Sequence, residues 1–200
     1  MMDGLKYLPG FLNPKAQEEL VARLHDVVSA APLFTPVMPR TGKAFSVRMT
    51  NIGPLGWVSD RTGYRYQANH PELGTPWPEF PESIMDLWNR VSDYAHPPEA
   101  CLVNYYKGSA KMGLHQDRDE EDFAAPVVSI SLGDTAIFRI GGVTRGGKTQ
   151  SLKLGSGDVL VMGGASRLCF HGVDRILSGT STLLKDGGRI NLTLRRVTKP

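Results

Sequence analysis

His115 and Asp117 stand two residues apart in "GLHQDRDEE", residues 113–121, a run that also holds Asp119, Glu120 and Glu121. On extended chain such a pair projects to one side, so an imidazole nitrogen and a carboxylate oxygen are able to meet a common cation. A His-x-Asp alone is common by chance, and so acidic a run reads equally well as a solvated loop. A second histidine, His171, lies inside the apolar "RLCFHGV", residues 167–173. A buried imidazole there needs a partner, and a hydrogen bond within the core would serve as well as a metal. One close pair of ligands with one distant histidine is nevertheless the sequence form of the two-histidine, one-carboxylate triad. That triad grips Fe(II) on one face and leaves the opposite positions for dioxygen and a co-substrate. The remaining acids, with Asp122, are expected to be solvated or to support the ligands rather than to add to them.

Oxygen activation at Fe(II) requires a reductant, and the terminal strand suggests which. In "RINLTLR", residues 189–195, Arg189, Asn191, Thr193 and Arg195 alternate with Ile190, Leu192 and Leu194, so the polar set shares one face. Asn104 and Tyr106 share a face in the same way. A half-exposed sheet with a solvated polar side is the alternative. Along an extended strand Arg189 and Arg195 are roughly 20 Å apart, and both long side chains reach back towards the middle. A short dianion with a carboxylate at each end fits between them, with Asn191 at its centre, because the arginine fork binds carboxylate through two parallel hydrogen bonds. 2-Oxoglutarate is such a dianion, and its keto-acid end chelates iron.

Two helices and a series of short strands must position these groups. "NPKAQEELVARLHDVVSA" is predicted helical, capped by Asn13, with Leu20, Leu24, Val27 and Val28 on one face and His25 on the surface. "PESIMDLWNRVSDYA" is predicted helical through Tyr94 and Ala95. Between residues 99 and 197 come "ACLVNYY", "PVVSISL", "TAIFRI", "SLKL", "DVLVM", "RLCFHGV" and "RINLTLRRV", separated by Gly, Asp and Pro. Their spacing predicts a β sandwich or barrel braced on one outer face by the helices. With 200 residues, 40% hydrophobic and 22% charged, the chain reads as one globular domain. No apolar stretch approaches the roughly 20 residues that span a bilayer, so no membrane partner and a cytoplasmic location are expected. Cys101 and Cys169 sit in apolar runs and are expected to be reduced core thiols. A net charge of +3 is a mild hint of an anionic partner.

Taken together, His115-x-Asp117, His171 and the Arg-x-Asn-x-Thr-x-Arg of residues 189–195 resemble the AlkB family of Fe(II)/2-oxoglutarate-dependent nucleic-acid dealkylation dioxygenases, the bacterial members above all. The likeness runs from "SVRMTNIGPLGW" to "NLTLR", and "NYYKGSAKMGLHQDRDEEDFAAPVVSISLG" is its most specific stretch. It implies a mainly β fold with flanking helices, a double-stranded β-helix or jelly roll, in a single domain over residues 1–200. Residues 35–80 would form an N-terminal nucleotide-recognition lid and 99–197 the catalytic core. By the same resemblance His115, Asp117 and His171 bind Fe(II), while Asn104, Tyr105, Tyr106, Arg189, Asn191, Thr193 and Arg195 hold 2-oxoglutarate. Arg189 would take the far carboxylate and Arg195 the end nearer the iron. Trp57 would stack on a flipped base with His115 on its other face. Tyr64, Arg65 and Tyr66 would line the lid, Asp119 would meet the exocyclic amine and Arg145 would approach from a loop. The implied reaction is oxidative demethylation of N1-methyladenine or N3-methylcytosine in single-stranded DNA, with RNA as a further substrate, by a monomer. Two features depart from the family pattern: Met162 stands where relatives can carry Trp, and the loop "TRGGKTQ" is rich in glycine.

Two rivals remain open at this point. One is a 2-oxoglutarate oxygenase that hydroxylates a protein or small molecule and so needs no Trp57–Tyr64 segment. The other is a non-catalytic jelly-roll binding module, against which the paired arginines count.

Overall fold

The terminal arginine strand lies at the centre of a six-stranded antiparallel sheet in the computed structural model, which describes residues 3–200. The order across that sheet is β1 (Leu5–Leu8), β10 (Val159–Met162), β7 (Val127–Gly133), β12 (Arg189–Arg195), β5 (Ala100–Tyr106) and β2 (Arg48–Ile52). Strand β12 is flanked on both sides: Arg189 pairs with Tyr106 and Gly133, and Asn191 with Asn104 and Ser131. Facing residues of neighbouring strands point the same way, so three strands contribute one continuous polar stripe. On the other side of the same strands Val128, Ile130, Leu192 and Leu194 are fully buried.

Helices α1 (Pro14–Ala30) and α2 (Glu82–Val91) cover that apolar side. The Asn13 side chain accepts from the Ala16 amide at 2.9 Å, and Pro14 opens α1, where its missing N–H costs nothing. Leu20, Leu24, Ile84 and Trp88 then pack against β7 and β12, each such side chain stabilising the fold by about 1.5–3 kcal/mol. Val21 joins the buried face, Val28 is only half-buried and His25 is exposed. Helix α2 stops four residues short of the predicted end. Asp93 adopts a left-handed φ of 51° and the Trp88 indole donates to the His96 carbonyl at 3.1 Å, which turns the chain out of the helix. Tyr94 bonds instead to Asp122.

A second antiparallel sheet runs β6 (Met112–His115), β11 (His171–Leu177), β8 (Thr135–Ile140), β9 (Gln150–Leu154). It closes over the polar stripe, and Leu102, Phe138, Met162 and Val173 from the two sheets share one core cluster. A hairpin of β3 (Gly56–Asp60) and β4 (Gly63–Gln67) forms a two-stranded sheet of its own, tied to β2 by the Asn51 side chain, which accepts from the Trp57 amide and donates to its carbonyl, both at 3.0 Å. Its root is tight: a methyl group on Gly56 would lie 2.4 Å from the Trp77 ring. The arrangement is the predicted two-sheet β architecture with helices on one outer face. One strand differs. "RLCFHGV" is extended only from His171 onward, because Arg167 leaves the 3-10 turn Gly164–Ser166 and spends its guanidinium on carbonyls outside any sheet. Among the described residues no helix is long and apolar enough to cross a membrane.

Candidate metal and co-substrate centre

Strand pairing brings the two histidines together. His171 is the cross-strand partner of His115, and their ring centroids are 4.5 Å apart. The approach needs glycine at 172, where a Cβ would meet the Met112 carbonyl oxygen at 2.5 Å. Asp117 follows two residues beyond His115, with Oδ1 3.7 Å from His115 Nε2 and Oδ2 3.8 Å from His171 Nε2. One ligand atom from each of the three lies within 4.8 Å of the others. Both imidazoles face this point through Nε2, because each Nδ1 is tied to a backbone carbonyl: His115 to Gly113 at 2.9 Å and His171 to Cys169 at 3.0 Å. Those bonds place the proton on Nδ1 and leave the Nε2 lone pair for a cation.

Charge states agree with that role. Burial pushes the His171 imidazole down to about 4, so it is neutral near pH 7. Burial alone would raise Asp117, but the Arg195 guanidinium, aided by the two histidines, holds its carboxyl well below the usual range. Arg195 donates to Asp117 from Nε at 3.2 Å and from Nη2 at 3.0 Å. A carboxylate has about four acceptor sites, so these bonds leave lone pairs for a metal. Two imidazoles presenting Nε2 and one ionised carboxylate are the donor set that suits Fe(II) with open positions.

The co-substrate residues show unspent capacity. Arg189 is 1% exposed and donates to Ser131 Oγ at 2.9 Å, yet its Nε and Nη1 have no partner. Arg195 Nη1 and Asn104 Oδ1 are likewise buried without a partner. Orphaned donors on two buried cations are costly unless an anion meets them. Burial lowers Arg189 to about 10, which keeps it charged at neutral pH. Its guanidinium lies 5.5 Å from the Tyr106 ring centroid. Asn104, Tyr106, His115, His171, Asn191 and Arg195 line one small cavity between the sheets. Asn191 donates to Ser129 and Thr193 donates to Asn191, so both are fixed in place. Tyr105 differs from the expectation. As alternation along β5 requires, it points away from Asn104 and Tyr106, and its hydroxyl reaches the Gly187 carbonyl at 3.4 Å.

Comparison with known proteins agrees with this geometry. Residues 4–195 match the model of the 2OG-Fe(II) oxygenase superfamily. An AlkB homolog of Caulobacter vibrioides, called an alpha-ketoglutarate-dependent dioxygenase, is 54% identical over 98% of this chain and 89% of its own. The alpha-ketoglutarate-dependent dioxygenase AlkB of Escherichia coli is 44% identical over 92% of this chain and 86% of its own. The solved structure of OsALKBH1 superposes with a TM-score of 0.81 at 34% identity, covering 98% of each chain. The chain belongs to the AlkB family of 2OG-Fe(II) oxygenases.

As an AlkB-family oxygenase it has a jelly-roll core and uses Fe(II) and 2-oxoglutarate. Near the centre the β3–β4 hairpin presents Trp57, whose indole Nε1 donates to Asp119 at 2.8 Å. Tyr64 stacks on Trp57 with ring centroids 5.6 Å apart and 18° between planes, and Phe45 meets the indole edge-on. Arg65 is turned to its own hairpin, paired with Asp60 at 2.8 Å. Tyr66 is directed inward, its hydroxyl 2.5 Å from Glu120 Oε1. Arg145 lies on the exposed loop after β8, over the ring of Phe170 at 4.9 Å, next in sequence to His171. Of the acids beyond Asp117, Asp119 and Glu121 are exposed while Glu120 and Asp122 are buried. Sequence reasoning missed Arg167 and the specific role of Glu120. A charged residue opening an otherwise apolar run was the available signal.

Proposed function

We propose that this AlkB-family enzyme removes methyl groups from N1-methyladenine and N3-methylcytosine in single-stranded DNA, with RNA as a second substrate. Oxidative dealkylation of nucleic acid is the family activity, and the finer choice of lesion and strand is our assignment. His115, Asp117 and His171 would hold the metal. When bound, Fe(II) supplies the oxygen activation by which 2-oxoglutarate becomes succinate and CO2 and the N-methyl group becomes a hydroxymethyl that leaves as formaldehyde. The convergence of three ligand atoms within 4.8 Å is the observation that carries this assignment.

Every other contribution comes from the chain itself. The unpaired donors of Arg189 would take the far carboxylate of 2-oxoglutarate, and the free Nη1 of Arg195 the end nearer Asp117. Residues 35–80, with the β3–β4 hairpin, would act as a lid over the base. Trp57, held by Asp119 and backed by Tyr64, would stack on one face of the base, with His115 on the other. Alkylated bases of this kind are cationic and pair poorly, which lowers the cost of flipping them out. A cation between aromatic faces gains about 0.5–2 kcal/mol per contact, and the exposed Asp119 carboxylate adds attraction for the positive ring and its exocyclic amine. The enzyme would work as a monomer in the cytoplasm.

Mass spectrometry of a methylated oligonucleotide panel incubated with Fe(II), ascorbate and 2-oxoglutarate tests the assignment. Restored adenine or cytosine with formaldehyde release supports it. Succinate formation with every oligonucleotide unchanged would favour a protein or small-molecule hydroxylase instead.

A further inference from the structure

Behind Asp117 lies a buried ionic cluster that the reaction chemistry does not require. Glu120 and Arg167 each have side chains only 2% exposed, and Arg167 Nη2 donates to Glu120 Oε2 at 3.1 Å. The other two bonding groups of Arg167 are spent on backbone: Nη1 on the Asp117 carbonyl at 2.7 Å and Nε on the Ala125 carbonyl at 2.9 Å. The second oxygen of Glu120 lies 3.4 Å from Arg195 Nε, and Arg195 in turn holds the Asp117 carboxylate. Asp117 is therefore gripped twice through Glu120, by its main chain through Arg167 and by its side chain through Arg195.

The same Glu120 oxygen accepts the Tyr66 hydroxyl. Tyr66 belongs to the β3–β4 hairpin, which pairs with neither sheet. Burial, opposed by the Arg195 guanidinium but seconded by the Glu120 carboxylate, pushes that phenol well above its ordinary value, so it stays a donor. From the hairpin to the metal ligand a path runs through Tyr66, Glu120, Arg195 and Asp117, part-buried at its first link and buried at the other two. In a water-poor interior, such contacts are strongly directional, and losing one leaves its partner uncompensated.

We propose that Glu120 is a positioning residue that ties the seating of the β3–β4 hairpin to the placement of Asp117, so that filling the metal and 2-oxoglutarate centre orders the hairpin that meets the base. The dependence is mutual, since any coupling in binding free energy acts equally in both directions. The proposal rests on Asp117 being a metal ligand.

Amide hydrogen exchange tests it in the full chain, first metal-free and then with Mn(II) and 2-oxoglutarate under anaerobic conditions. Mn(II) affinity is titrated in parallel. In the parent, exchange across residues 56–67 should slow by about fivefold on loading, in the range of ordinary site-to-site coupling. Tyr66→Phe removes one hydroxyl and leaves both arginine pairs of Glu120, so Mn(II) should still bind while the slowing is lost. Glu120→Gln should lose the slowing and also weaken Mn(II) binding by about tenfold, as expected for a group that orients a ligand. If Glu120→Gln does not fold, Tyr66→Phe alone decides the matter. Slowing that persists in Tyr66→Phe would overturn the coupling and leave the cluster a purely structural one. A parent that binds Mn(II) with no change over residues 56–67 would overturn it too. A parent that binds no metal would overturn the ligand assignment beneath it.

Discussion

Asp117 answers to two claims at once, a pair of imidazoles on one side and the Arg195 guanidinium on the other. Its ionised form is therefore secure, and what remains to be met is the spare donor capacity around it. That capacity makes Arg189 the most exacting residue to test. Arg189→Ala removes two unpaired buried donors and one bond to Ser131. It should raise the KM for 2-oxoglutarate by on the order of tenfold to a hundredfold, as loss of charge-assisted hydrogen bonds does. Steady-state succinate assays check this, and an unchanged KM would remove Arg189 from the co-substrate site. Trp57→Ala acts elsewhere. Base binding should weaken by about 1–3 kcal/mol, read as a higher KM for a methylated oligonucleotide, with 2-oxoglutarate consumption in its absence close to the parent's. The shared face of Arg189, Asn191, Thr193 and Arg195 was legible in the sequence because period-two spacing on a strand fixes it, whereas Asp117 lies just beyond the end of β6. Tyr105 was not so legible, since the same alternation turns it away from its neighbours.

At the scale of elements, the centre depends on how closely β11 and β6 approach. Gly172 permits it, because any Cβ there would press on the Met112 and Gly113 carbonyls. Gly172→Ala should cost about 1–3 kcal/mol of stability, the usual effect of overpacking, and should weaken metal binding as His171 is pushed from His115. Gly142→Ala, with nothing within 4 Å of the added methyl, is the control and should change neither. Thermal unfolding with Mn(II) titration separates the two variants. The exit from β12 is held differently. Glu99 accepts from the Val197 amide at 2.9 Å and from the Thr198 amide and hydroxyl at 2.7 and 2.8 Å. Burial alone would raise its pKa, but these bonds, with Arg196, bring it below the ordinary value. A depressed carboxyl contributes stability above its unfolded pKa and loses it as pH falls. Glu99→Gln should therefore destabilise by about 1 kcal/mol at pH 7, and its deficit against the parent should shrink below roughly pH 4. A constant deficit across that range would contradict the bond-driven shift. The helix faces and most core strands followed from apolar periodicity. The short strands β1 to β4 and β6 did not, and the end of α2 turned on a tertiary bond from Trp88 to His96.

Over the whole molecule, one face of the six-stranded sheet is apolar and helix-covered while the other is polar and sheet-covered. The polar stripe is tolerable inside a fold only because its cations are partly paired and partly reserved for a ligand. The charge of Arg167 at the head of an apolar run was visible in the sequence, but its pairing with Glu120 was not, since residues 47 apart meet only in the folded chain. The family resemblance supplied the chemistry, and the geometry supplies the reason these residues serve it. Anaerobic titration of Fe(II) into the protein with 2-oxoglutarate, followed by the visible charge-transfer absorption of the chelated keto acid, tests the centre most directly. Saturation at a single equivalent in the parent, with no band in Asp117→Ala or His171→Ala, is the predicted result; an undiminished band in either variant would contradict it.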